Sequence, residues 1–156
     1  MHKNSNEKLD AIKYEVKNLK SVCSIGVQSA SGFDAQQAFL HVCADMNGLG
    51  DWLSNEHRCT KEDWIKMVKS STDLFIVCKI DTKNKHGATD APMWQLKANK
   101  IDTTQGFLIK VPGGLTKNIT SVIPKHFITV DGKEYDAVDL AIGALNDIKT
   151  FVSQLP

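Results

Sequence analysis

Residues 72–87 read TDLFIVCKIDTKNKHG, an unbroken apolar run that ends abruptly in polar groups closed by Lys85-His86. How this stretch folds decides where His86 points and how the rest of the chain is arranged around it. Phe75, Ile76, Val77, Cys78 and Ile80 have strand propensity, and periodicity alone does not assign so short an apolar run. Ser71, Thr72 and Asp73 argue the other way, because their side-chain oxygens can accept from the free backbone donors of a helix's first turn. On a helix, Leu74, Val77, Cys78 and Asp81 share one face, apolar groups lie nearly all round, and the polar end emerges near Lys83 to Gly87. The expectation is a buried central helix, with a strand as the alternative.

Upstream, the pattern is helical. Leu9, Ile12, Val16, Leu19 and Cys23 recur at three- and four-residue steps between lysines and glutamates, with Asn4 or Ser5 as cap, which predicts a helix to about Val22. After the Ser/Gly stretch 29–32, Asp34 with Gln37 makes a capping-box-like start for a second helix. Its stripe is Ala35, Ala38, Phe39, Val42, Cys43, Met46 and Leu49, followed by Trp52 and Leu53. Gly48 and Gly50 each weaken a helix by roughly 1 kcal/mol relative to alanine, so a kink or an early stop is expected near Asn47. Thr60 with Asp63 opens a third helix carrying Trp64, Ile65, Met67 and Val68.

Downstream of Gly87 the composition changes to short strands broken by turn residues. Met93 to Ala98, Gly106 to Val111 and Phe127 to Val130 read as strands, and Pro112-Gly113-Gly114 and Asp131-Gly132 as turns, since glycine reaches positive φ. Asp136 and Asp139 then begin a last helix with the stripe Val138, Ala141, Ile142, Leu145, Ile148, Val152 and Leu155. These pieces predict an α+β single domain over 1–156: a bundle of about four helices (about 4–87), a small late antiparallel sheet (about 90–135) and a closing C-terminal helix (about 136–155).

Composition narrows the function classes. The chain has 156 residues, 42% hydrophobic and 24% charged, which suits one domain with a proper core. A formal net charge of +1 supplies no overall field toward a nucleic-acid backbone or an anionic membrane, so any RNA binding would need a local patch. Cys23, Cys43, Cys59 and Cys78 are widely separated with no CxxC pair, which excludes zinc-ribbon and dithiol redox readings and points to reduced core thiols. The N-terminal MHKNSNEK is polar and no membrane-length apolar run follows, so the expected location is cytoplasmic, with no membrane partner and no role for the Asn118-Ile119-Thr120 sequon.

Several weaker constellations reduce to structural readings. His41 and Asp45 stand one helical turn apart and could join His57 or Cys59 at a metal, yet exposed polar pairs at that spacing are common; no metal or cofactor is expected. Cys43 and His41 face different directions on a helix. Trp52, Trp64 and Trp94 are too scattered for a base-stacking platform. Leu115 and Thr116 do not continue a P-loop after Gly113-Gly114, and Asp136 with Asp139 reads as helix N-terminal charge.

Asp51-Trp52 ending a long helix, Cys78 on an apolar helix running into Asn84-Lys85-His86, small strands, and Gly132-Lys133-Glu134-Tyr135-Asp136-Ala137 before a closing helix together resemble a group of small bacterial and phage-associated proteins. That group carries a Cys-Asp-Asn-Lys-His signature. Its helical half is similar to the HEPN class (higher eukaryotes and prokaryotes nucleotide-binding domains), many of which are RNases of toxin and phage-defence systems. The resemblance covers the chain from about Phe39 and rests on short motifs. Cys78, Lys85 and His86 match the group by position, whereas Asn84 lies closer to the histidine than in the group and Asp81 is likewise displaced toward His86. Active HEPN RNases have an arginine and a polar residue a few positions before the histidine; this chain has Lys79 and Ile80, and Arg58 is its only arginine.

A lysine offers a phosphate a point charge instead of a planar fork. Two functions are therefore carried. The first is a non-catalytic HEPN-like interaction module of a mobile-element or phage-defence system, acting through a protein partner or as its own dimer. The second is a metal-independent RNase in which His86 transfers the proton and Lys79 or Lys85 binds phosphate, completed by a second subunit as the resemblance implies. The plainer reading of His86 is a helix end interacting with the final carbonyls, with Asp81 pairing locally, Asn84 serving the helix terminus, and Lys83, Lys85 and Lys100 as a solvated face.

Overall fold

A computed structural model describes residues 2–23, 32–86, 101–110 and 121–156, with side chains described at 2–23, 35–83 and 127–156. The elements are α1 (Ser5–Val22), α2 (Gly32–Asn55), α3 (Lys61–Ser70), α4 (Thr72–His86), β1 (Ile101–Lys110), β2 (Ser121–Val130), β3 (Lys133–Asp136) and α5 (Ala137–Ser153). Among the described residues this is an α+β architecture of five helices and one three-stranded antiparallel sheet in the order β1-β2-β3.

Capping chemistry sets the helix starts. Asn4 Oδ1 accepts from the Glu7 N–H at 2.9 Å to open α1. Thr60 and Asp63 form the reciprocal capping box of α3. At α5, Asp136 Oδ1 accepts from the N–H groups of Val138 and Asp139. α2 ends on a left-handed residue, His57 with φ 57°, and the Arg58 N–H reaches back to the Leu53 carbonyl while the His57 N–H reaches that of Ser54.

α4 is the buried central helix that its capping residues predict. Every residue from Leu74 to Thr82 is buried, and α4 packs on α2, α3 and α5. Ser71 alone links it to α3: its N–H donates to the Val68 carbonyl to close α3, and its Oγ accepts from the Leu74 N–H at 3.1 Å to open α4. The fully buried Ile12, Leu19, Phe39, Met46, Leu49, Leu74, Leu140 and Ile148 form one core with it, each side chain contributing about 1.5–3 kcal/mol on burial.

Five expectations change. α2 begins at Gly32, so Asp34 lies within its first turn and not before it. It also runs through Gly48 and Gly50 to Asn55 without the early stop. The glycine at 50 is a packing requirement, because a Cβ there would overlap the Trp64 indole of α3. The inner face of α5 is Ala137, Leu140, Ala141, Ala144, Leu145 and Ile148, leaving Ile142 on the exposed side. Gly143 lets the helix approach α4 closely, because a Cβ there would overlap the Asp73 carboxylate, and a stripe counted by bulky residues does not register this.

The strands also extend beyond their expected bounds. β1 pairs with β2 from Ile101↔Val130 to Lys110↔Ser121. Ile128 and Val130 of β2 are buried in alternation with half-buried Phe127 and Thr129, the period-two pattern of a sheet with one face on the helices. The fifth change is the third strand, Lys133–Asp136, which directly follows the turn at Asp131 (φ 50°) and Gly132 (φ 80°). Two positive φ values match the twist of a two-residue hairpin. The expected strand from Met93 to Ala98, the turn at Pro112-Gly113-Gly114, Trp94, Lys100 and the sequon lie outside the described residues.

Candidate functional site

The second half of α4 carries the candidate residues. Lys79 is 2% exposed. Its Nζ lies 5.3 Å from the centroid of the Phe75 ring one turn earlier, a cation–π geometry. Burial pulls its ammonium below the usual lysine range, with Asp131 of the β2–β3 turn acting in the opposite direction. The amphipathic stem explains how a lysine occupies an otherwise apolar helix: its methylenes pack while the head group finds a ring face and a carboxylate's field.

Asp81 is also 2% exposed, and its Oδ2 accepts from Asn47 Nδ2 of α2 at 2.7 Å. The tie joins residues 34 positions apart, so Asp81 has a partner across the core. Cys43 stands one turn before Asn47 on α2, and Cys78 three residues before Asp81 on α4; both thiols are fully buried. Burial pushes the Cys43 thiol up, aided by Cys78 and Asp81, and pushes Cys78 up in the same way, aided by Asp81. Such thiols remain protonated and unreactive at neutral pH. Lys83 is exposed.

His86 is the last residue of α4. The side chains of Asn84, Lys85 and His86 lie outside the described residues. Along the helix axis, the seven residues from Lys79 to His86 make about two turns, or roughly 10 Å.

The other candidates are dispersed. His41 is exposed while Cys43 is buried, so they do face apart. Asp45 is engaged by Lys8 at 2.6 Å. Among the described residues, no group of three His, Cys, Asp or Glu side chains is arranged to hold a metal. Trp64 is buried edge-on against Phe151, their centroids 6.1 Å apart.

Two features were not read from the sequence. Asn47 was legible only as a polar residue on the buried stripe of α2, four positions after Cys43. A groove of about 660 Å³ between α3 and α5, lined by Arg58, Lys66, Met67, Phe151 and Leu155 among others, has no sequence signal because it depends on how two distant helices diverge. Cys59 also lines it and is free and half-buried; burial, then Asp63, raises its thiol, and Arg58 opposes. No family model, curated protein or solved structure matches the chain.

Proposed function

We propose that the chain is a non-catalytic, HEPN-like interaction module, acting through a protein partner or through self-association in a mobile-element or phage-defence setting. One observation carries the reading: Lys79, which stands where active HEPN RNases have an arginine, is buried with its ammonium over Phe75. A cation that stabilises a transferring phosphate must meet the RNA, and this one is spent inside the domain. Asp81, the acidic member of the signature, is likewise engaged with Asn47 in the core. Asp81 then serves to hold α4 against α2, and Lys79 faces the charge of Asp131 in the β2–β3 turn.

Induced expression in bacteria tests the reading against the RNase alternative, in which His86 and Lys85 act on RNA. Wild type and His86→Ala are expected to leave growth equally unaffected. Toxicity of the wild type that His86→Ala abolishes would overturn it.

A further inference from the structure

We draw no further inference here: the strongest candidate, the groove of about 660 Å³ between α3 and α5, is lined by balanced charges, Arg58 and Lys66 against Asp63 and Asp147, and nothing in the structure shows what covers it.

Discussion

An alanine at position 50 would drive its methyl into the Trp64 indole, and Trp64 is itself wedged against Phe151 and cannot easily retreat. Gly50→Ala is therefore expected to cost about 1–3 kcal/mol through overpacking, although alanine is the better helix former. Urea unfolding measures this; a neutral or stabilising result would mean that α3 does not sit on α2 as described. The Asn47–Asp81 pair makes a second residue-scale prediction. Removing Asn47 withdraws a donor from a carboxylate that is almost fully buried, so Asn47→Leu should cost about 1–3 kcal/mol. The double variant Asn47→Leu/Asp81→Leu should be less destabilised than the sum of the singles, because no charge is then left buried without this partner. Strict additivity would show that the two side chains do not interact.

At the scale of elements, the β2–β3 hairpin turns on Gly132, whose φ of 80° costs an L side chain about 1–2 kcal/mol. Gly132→Ala should lower stability by about that amount, measured by thermal or denaturant unfolding. The α4–α5 seam gives a pH dependence. Burial raises the Asp73 carboxyl, Asp147 and Asp139 of α5 raise it further, and Lys133 of β3 acts in the opposite direction. A carboxyl raised on folding favours the folded state while protonated. Its contribution is present below the ordinary carboxylate range and is lost as pH rises through the elevated value. Asp73→Asn should accordingly be more stable than wild type at neutral pH, with the difference shrinking on acidification. Asp63 works with the opposite sign: hydrogen bonds from Thr60 lower its carboxyl, and the stability it adds is lost as pH falls through the lowered value. A pH series of unfolding midpoints for Asp73→Asn distinguishes the two signs.

These elements also mark what the sequence could reveal. α4 was legible because Ser71 is a cap with a nearly all-apolar run behind it, and the turn at Asp131-Gly132 because few other pairs accept positive φ twice. The first half of β2 was hidden by Pro124 and Lys125, residues that normally argue against a strand, and β3 by its polar composition. The continuation of α2 past Gly48 and Gly50 depends on a tryptophan 14 positions after Gly50, information that no local window contains. Of the candidate site, the residue types were readable and the burial of Lys79 and Asp81 was not, because a charged residue in an apolar run reads equally as a surface end or as a partnered core group.

For the whole molecule, the charged residues Lys79 and Asp81 of α4 are turned into the core. Lys79, Asp81 and Asn47 lie where α4, α2 and the β2–β3 turn converge. No described helix is long and apolar enough to cross a membrane. On this account Lys79 and Asp81 serve the packing of α4. The most direct test is incubation of purified wild type, Lys79→Met and His86→Ala with total RNA, without added metal, followed by electrophoresis. All three should leave the RNA intact, with Lys79→Met folded. RNA cleavage by the wild type that both substitutions abolish would contradict the account.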